Sequence, residues 1–562
     1  RGGHSELQQS SSVSKGLDID YATAWSYGVA ETMTLLIPDF MGGASTTDVG
    51  TDSHIYKEVV SKGYPHSTAQ AFSQSCPTYW GEQPFTAGPV YVGAIVCFLF
   101  LLGCFVVKGP YKWALLLSVV FSILLSWGHN FMGLTELFFN YFPFYNKFRT
   151  VSSILVVAEV AMPLLGFMAL SDIFKMKVER GYLKRSIIIS ASITGGLCLF
   201  FALFGGYIFD FTSSSDARML EGMPSWFVQA IVSQRMSMLC SDAWRSLIFI
   251  AISATLLYLL AGFKIHFWTF LCSFAVLIIA DMWPVDKRYF GKDNWVNKKE
   301  TEAYFAMKPY EKQILQDTSY FRVMNLTTNT FNESRTSYYL HSIGGYNAAK
   351  LRRYQDLIDA HLSKGNMNVA NMLNTKYFIV EGEKGAPEAM LNPDAMGNAW
   401  FVDEVRSVNS PLEESDALNT LDLSKVAVTD SKFSSMVLAA NQHNAQISLR
   451  SYAPDRLVYD AFLDGPKTAV FSEIYYPYGW NSYIDGEHVE HFRVDYALRA
   501  LNIPEGKHEI VFEFRPDSIY KGYKVNALFR YIMYTFIISL LVASVLRKLG
   551  KGPEWLRKWG DQ

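Results

Sequence analysis

Seven apolar runs, each close to the length of a membrane-spanning helix, limit the folds open to this chain. They lie at about 88–107, 112–128, 150–171, 185–208, 243–262, 265–283 and 528–546. A helix needs about 20 apolar residues to cross a bilayer. Helices buried in a soluble core do not explain the runs, because they follow one another closely and lack polar faces. The pattern predicts a polytopic α-helical membrane protein with about seven spans.

The composition limits how much of the chain the membrane can hold. Half of the residues are hydrophobic and only 18% are charged, against about a quarter in soluble domains. The mean hydropathy is only slightly positive, so large water-soluble segments must accompany the spans. The formal net charge of -2 argues against a strongly basic nucleic-acid binder, and no nucleic-acid partner is expected.

Basic residues alternate between the connections and give the spans an orientation. Lysine and arginine occur at every second connection and in the carboxyl-terminal tail, while the opposite short connections are sparser, which marks the cytoplasmic side. The residues in those connections are Lys108, Lys112, Lys175, Lys177, Arg180, Lys184, Arg185, Lys264, Arg547, Lys548, Lys551, Arg557 and Lys558. We therefore expect a multi-pass protein of the cytoplasmic (inner) membrane, with 1–87 and 284–527 outside and the carboxyl terminus in the cytoplasm.

The domain organisation follows from this topology. We expect an extracytoplasmic loop region (1–87), a six-span bundle (88–283), an extracytoplasmic α/β unit (284–397), an extracytoplasmic β-sandwich-like module (398–527) and a last span with a basic tail (528–562). Short alternating strands separated by turns such as Asp485-Gly486 indicate the module. Arg1 to Ser14 is polar and has neither an initiator Met nor a signal-peptide core. We expect further spans upstream of Arg1.

Two acidic residues lie in or at the end of a predicted span, where a charge is costly and therefore informative. Glu159 lies four residues before Pro163 in the third span. It either faces a polar cavity or forms a hydrogen bond between helices. Asp281 ends the sixth span at its outer end. It either caps the helix at the interface or lines a cleft for a substrate headgroup.

Two outer segments carry further candidate residues. The connection between the second and third spans mixes aromatic and polar side chains, namely His129, Asn130, Glu136, Tyr145, Lys147 and Arg149. Such a mixture suits a membrane-interface belt as well as a site for phosphate and sugar. The segment ETMTLLIPDFMGG carries Glu31 and Asp39. Each of these carboxylates is either a general base or a helix cap.

The cysteines show no spacing typical of a metal site. Cys76 and Cys240 both fall outside the predicted spans, so whether they form a disulfide stays open. No phosphate-binding loop, nucleophile elbow or zinc-protease motif occurs in the sequence. A divalent-metal requirement also stays open.

Seven segments distributed over almost the whole chain carry a resemblance to a known family. The segments are ETMTLLIPDFMGG, YWGEQPFTAGPVYVG, FPFYNKFRTVS, DMWPVDKRYF, GGYNAAKLRRYQDLI, NMLNTKYFIV and YYPYGWNSYIDGE. In this order they resemble the YfhO family of bacterial integral-membrane proteins, in the version found in Bacteroidetes-like bacteria. The family is similar to the GT-C class of membrane glycosyltransferases.

This resemblance implies transfer of a sugar from a polyprenyl-phosphate carrier to a cell-envelope polymer or protein on the outer face of the membrane. In the GT-C class the leading acidic residue commonly follows the first span, which here would precede Arg1. The resemblance leaves Glu31 or Asp39 as acidic catalytic candidates, with Lys147 and Arg149 for the carrier phosphate. Two alternatives remain: a non-catalytic accessory or scaffold subunit of an envelope assembly, and a transporter of lipid-linked saccharide that uses Glu159.

Overall fold

A computed structural model describes residues 5–7, 17–262, 267–347, 349–383 and 385–549. The chain divides into two compact units. The amino-terminal unit contains the described residues from 17 to 301, and the carboxyl-terminal unit contains those from 302 to 549 together with residues 5–7. All of the candidate site residues named above lie in the amino-terminal unit.

The amino-terminal unit is helical. Its α-helices are α1 (Ile19–Thr23), α2 (His54–Ser61), α3 (His66–Gln74), α4 (Ala94–Val106), α5 (Pro110–Ser126), α6 (Met132–Tyr141), α7 (Val156–Phe174), α8 (Arg180–Ile208), α9 (Asp216–Met219), α10 (Ser225–Gly262) and α11 (Phe267–Tyr289), followed by α12 (Lys298–Tyr304) at the junction. Short 3-10 helices cover Ala30–Leu35, Gly128–Phe131, Tyr145–Lys147, Val151–Leu155 and Lys292–Asn294. Side chains from α4, α7, α8 and α10 share one hydrophobic core.

Among the described residues, five helices are long and apolar enough to cross a membrane. They are Val151–Phe174, Arg180–Ile208, Ser225–Leu260, Trp268–Tyr289 and, in the other unit, Asp517–Lys548. A sixth results if the bent pair Pro110–Ser126 and Gly128–Tyr141 counts as one span. The prediction of several apolar helices able to span a membrane is confirmed. The number seven and the orientation stay predictions.

Two glycines reshape the first two predicted spans. The run 88–107 is helical only over Ala94–Val106, because Gly93 has φ +109 and ends the extended stretch before α4. After α5 the chain turns by 111° at Gly128, whose φ is +47. A Cβ atom at Gly128 would lie 2.0 Å from Ser26 Oγ, so glycine is needed for this close approach. The bend places His129 and Asn130 against the segment that follows α1.

The carboxyl-terminal unit is rich in β-structure. Its strands are β1 (Arg322–Asn325), β2 (Thr375–Glu381), β3 (Pro387–Leu391), β4 (Ala399–Val402), β5 (Glu404–Val408), β6 (Val426–Asp430), β7 (Ala445–Ala453), β8 (Arg456–Leu463), β9 (Lys467–Ile474), β10 (Trp480–Ile484), β11 (Glu487–Val489), β12 (Phe492–Val494), β13 (Leu498–Ile503) and β14 (Gly506–Phe514). The helices are α13 (Pro309–Ile314), α14 (Arg352–Ala360), α15 (Met367–Met372), α16 (Pro411–Ala417) and α17 (Asp517–Lys548), with 3-10 turns at Thr336–Tyr338, Leu362–Lys364 and Ser431–Met436.

Two antiparallel sheets form the main body of this unit. Their strand orders are β11-β10-β14-β8-β7 and β12-β13-β9-β4. Tyr459 and Phe512 of the first sheet and Phe471 and Leu501 of the second belong to one hydrophobic cluster. Alternation along β8 produces this arrangement, since Leu457, Tyr459, Ala461 and Leu463 face the cluster. The prediction of a helical chain with a β-rich carboxyl-terminal part is confirmed.

Candidate functional site

Glu31 is a buried carboxylate with no cationic partner among the described residues. It lies on the 3-10 helix Ala30–Leu35 and is only 2% exposed. Tyr79 Oη (2.7 Å) and Gln83 Nε2 (3.0 Å) donate to Oε1, and the Gly28 amide (3.0 Å) donates to Oε2. Burial raises the pKa of Glu31 even though these hydrogen bonds act to lower it. A carboxylate in this setting takes up a proton more readily than an exposed one.

A small pocket opens beside Glu31. Tyr27, Thr34, Tyr79 and Gln83 contribute to its wall. Its volume of about 10 Å³ accepts roughly one water-sized group. Tyr27 is 1% exposed, and its hydroxyl lies near Thr34 without a hydrogen-bond partner of acceptable geometry among the described residues. The pocket thus combines a proton acceptor with an unused donor, as a single bound hydroxyl requires.

Glu82 is a second carboxylate next to Glu31, and the sequence analysis did not select it. A Cβ atom on Gly28 would lie 3.2 Å from Glu82 Oε1 and 3.3 Å from the Glu31 Cβ, so the two glutamates flank this glycine. Asn130 Nδ2 donates to Glu82 Oε2 at 2.5 Å, and His129 Nε2 lies 3.5 Å from the same oxygen. The side chains of His129 and Glu82 are about half exposed. In the sequence Glu82 directly precedes Gln83, which donates a hydrogen bond to Glu31, but no local pattern distinguishes it from other glutamates.

The structure thus brings the predicted residues His129 and Asn130 to the neighbourhood of Glu31. The bend at Gly128 is responsible. The His129 amide donates to Ser26 Oγ (2.9 Å), and Asn130 Nδ2 also donates to the Tyr27 carbonyl (3.1 Å). This segment therefore holds the same stretch of chain that leads into Glu31.

Arg149 forms a cationic and aromatic cluster on the same segment. Its guanidinium lies 4.9 Å from the Trp25 ring centroid and 5.6 Å from that of Tyr21, and Nη1 donates to Tyr21 Oη at 2.8 Å. Trp25 Nε1 in turn donates to the carbonyl of Phe85 (3.2 Å), and the two rings meet edge to face. Phe85 follows Gln83, a hydrogen-bond donor to Glu31, by two residues. Arg149 is therefore connected to the surroundings of Glu31 through Trp25 and Phe85.

The remaining residues of this loop lie at its periphery. Lys147 is exposed and lies on the short helix Tyr145–Lys147. Tyr145 is half-buried, packs 5.7 Å from Phe138, and has its pKa raised by burial. Glu136 is exposed on α6. The contacts of Glu136 and Tyr145 do not join them to Glu31.

Asp39 belongs to a buried ion network and differs sharply from Glu31. Arg288 Nη1 donates to Asp39 Oδ2 (2.8 Å) and to Asp242 Oδ2 (2.6 Å), while Nη2 donates to Asp242 Oδ1 (2.8 Å). Tyr289 Oη donates to Asp39 Oδ1 at 2.5 Å. Burial and the neighbouring Asp242 raise the pKa of Asp39 to about 6, against the opposing effect of Arg288. These contacts tie Asp39 to α10 and α11, so it holds the segment in position.

The two acidic residues of the predicted spans also lie in different settings. Asp281 is 1% exposed, accepts a hydrogen bond from Tyr91 Oη (2.7 Å) and lies 3.1 Å from Arg245 Nη1. The Ile95 amide, in the first turn of α4, donates to its Oδ2 at 3.4 Å, which is the contact of a helix cap. Glu159 is exposed on α7. A hydrogen bond from Glu159 to another helix is not observed among the described residues.

No group of three or more His, Cys, Asp and Glu side chains suited to a metal ion occurs in the described part of the chain. Cys76 is a buried free thiol, and Cys240 is a half-buried one. No family model matches the chain, and no curated protein or solved structure matches it. The resemblance stated above therefore rests on the quoted segments alone.

Proposed function

We propose that this chain is a GT-C-like membrane glycosyltransferase, related to the YfhO family, that transfers a sugar from a polyprenyl-phosphate carrier to a cell-envelope acceptor. The observation that carries the proposal is the pocket at Glu31. A buried carboxylate without a cation, beside room for one hydroxyl, is the arrangement that a general base needs. In this proposal the bundle has seven spans, and the site and the β-rich unit lie on the outer face of the cytoplasmic membrane.

Glu31 is the general base of the proposed reaction. The acceptor hydroxyl occupies the pocket, where Tyr27 donates a hydrogen bond to its oxygen and Glu31 receives its proton. The oxygen forms a bond to the anomeric carbon of the donor sugar as the bond from that carbon to the phosphate oxygen breaks. The polyprenyl phosphate leaves as an anion, and the raised pKa of Glu31 favours the proton transfer.

The neighbouring clusters hold the donor. Arg149, with one Nη group engaged by Tyr21, presents its remaining donors to the carrier phosphate together with Lys147. Glu82, Asn130 and His129 accept and donate hydrogen bonds to sugar hydroxyls. The exposed ring of Phe85, 61% accessible, covers one face of the sugar. Asp39, bound to Arg288, keeps this segment in place and takes no proton from the acceptor.

The test is transfer of a radiolabelled hexose from polyprenyl phosphate to envelope polymer, catalysed by the purified chain in lipid vesicles. We expect Glu31→Gln to lower the transfer rate by about 10²–10⁴-fold, the usual contribution of a general base. Arg149→Ala and Lys147→Ala are expected to raise the donor concentration needed for half-maximal rate. Glu58→Gln is the matched control, because Glu58 is an exposed glutamate on α2 outside the site.

The outcome separates this proposal from the alternatives. A normal rate in Glu31→Gln removes the proposed base, and normal donor dependence in both cationic variants removes the phosphate assignment. If the wild-type chain shows no transfer from any polyprenyl-phosphate hexose, the scaffold role becomes the better explanation. Movement of intact lipid-linked saccharide across the vesicle membrane, without transfer, would indicate the transporter.

A further inference from the structure

The five-stranded sheet of the carboxyl-terminal unit carries an open groove on its outer face. Leu457, Tyr459 and Ala461 face the core, so alternation places Asp460 and Phe462 on the opposite face of β8. Residues of β7, β8 and β14 line the groove, and the β4 segment Ala399–Phe401 contributes to its edge. Its volume is about 890 Å³, which lies within the usual range of ligand-binding pockets.

A set of charged groups is fixed in the floor of the groove. Arg450 Nε donates to Asp460 Oδ2 at 2.8 Å, and Nη1 donates to Glu509 Oε2 at 2.5 Å. Arg450 Nη2 contacts the second oxygen of Asp460. Each of the three side chains is between 44% and 49% exposed, so each still offers polar atoms to a ligand. The lining also holds Lys507 and His508, and the His508 imidazole is paired with Asp485 outside the groove. The acidic and basic groups of the lining are therefore nearly balanced.

An exposed aromatic ring lies beside these groups. Phe462 is 51% exposed, and its register partners are Gln446 on β7 and Lys507 on β14. Ser448 pairs with Asp460 in the same way. The groove therefore presents one apolar ring face next to an amide, a hydroxyl and fixed ionic groups. A sugar needs this combination, because its ring has an apolar C–H face and an edge of hydroxyls.

We propose that this groove binds a neutral, hydroxyl-rich glycan chain. A lipid would need a more apolar wall, and a polyanion would need an excess of positive charge, which the balanced set lacks. The groove is open, so it suits internal sugars of a polymer. Lys507 lies ten residues before Asp517, where α17 begins. The extended chain between these two residues covers at most roughly 33 Å. This binding site is separate from the transfer reaction and does not rest on the role of Glu31.

The experiment is native affinity electrophoresis of the full chain in detergent, with dextran, yeast mannan or laminarin in the gel as neutral probes. Polygalacturonate is the anionic comparison. Phe462→Ala removes the ring, and Ser448→Trp fills the groove. Tyr478→Ala is the matched control, because Tyr478 is 69% exposed and lies outside the groove lining. Thermal unfolding of each variant confirms that it is folded.

We expect at least one neutral polymer to slow the wild-type chain. Phe462→Ala and Ser448→Trp should weaken this binding about fivefold or more, as loss of a ring contact implies, while Tyr478→Ala should leave it unchanged. The proposal is overturned if none of the three neutral polymers slows the chain, or if only polygalacturonate does. It is equally overturned if folded Phe462→Ala and Ser448→Trp proteins bind as the wild type does.

Discussion

Replacement of Asp39 by asparagine should change how the stability of the amino-terminal unit responds to pH. One guanidinium serves two buried carboxylates here, and Asp242 receives hydrogen bonds from both Nη atoms of Arg288 while Asp39 receives one. The Asp39 charge is therefore only partly compensated, and its pKa rises from 3.8 to about 6. The folded state then binds its proton more tightly than the unfolded chain does.

The sign and size of the effect follow from linkage. A raised folded-state pKa gives stability that is complete below about pH 4 and is lost as the pH rises through 6. Each pKa unit corresponds to about 1.4 kcal/mol, so integration from pH 4 to pH 7.5 gives a loss of about 2 kcal/mol for the wild type. In a unit of this size, that corresponds to roughly 4–8 °C in Tm. The Asp39→Asn variant has no ionisable group at this position, so its stability should not show this loss between pH 4 and pH 7.5.

The measurement is thermal unfolding of detergent-solubilised wild type and Asp39→Asn between pH 4 and pH 7.5, followed by tryptophan fluorescence. The quantity of interest is the difference between their pH slopes, which cancels the titration of groups that do not interact with Asp39. Asp52→Asn, at an exposed position, serves as the control. Parallel curves for wild type and Asp39→Asn would refute the reasoning, because they would mean that Arg288 keeps Asp39 ionised throughout.

Three further substitutions test other parts of the structure by thermal unfolding. Gly43→Ala should destabilise the chain by about 1–3 kcal/mol more than Gly50→Ala. Both glycines have a positive φ, but only at Gly43 would an added Cβ atom meet another side chain, at 2.5 Å from Tyr289 Oη. Equal losses of stability in the two variants would contradict this expectation. Arg235→Met should cost about 3–5 kcal/mol, because it removes a 1% exposed guanidinium that pairs with the half-buried Asp216 and donates hydrogen bonds to the carbonyls of Pro77 and Phe211. A loss below 1 kcal/mol would contradict this expectation. Burial raises the pKa of Asp495 to about 8. The wild type should therefore lose stability relative to Asp495→Asn as the pH rises from about 4 to 8, with no further loss above pH 8. A difference in stability that stays constant with pH would contradict this expectation.

The helices were predictable because their signal is local. An apolar run of membrane length carries its own evidence in consecutive residues, and the structure places long helices over most of those runs. The limits of α4 and the 111° turn after α5 depend instead on Gly93 and Gly128. Glycine permits such backbone angles without requiring them. The requirement at Gly128 comes from Ser26, about a hundred residues earlier in the chain.

The candidate site was predictable only in part, for a similar reason. His129, Asn130 and Arg149 were selected as one loop with a mixed composition, and the structure places them near the segment that carries Glu31. Glu82 was not selected, because a single glutamate in a polar loop has no distinguishing pattern. What marks it is its position across Gly28 from Glu31, and that depends on folding.

Glu31 and Asp39 show why the roles of such residues cannot be assigned from spacing. They lie eight residues apart in one segment, both are almost fully buried, and burial raises the pKa of both. Arg288, which is 249 residues from Asp39 in sequence, makes the difference, because it binds one carboxylate and leaves the other without a cation. The two oxygens of Asp39 accept hydrogen bonds from Arg288 and Tyr289, whereas Glu31 lines the small pocket and, among the described residues, accepts hydrogen bonds from neutral donors only. In the proposed reaction Glu31 is therefore the better candidate of the two for the general base, because the pocket lies beside it.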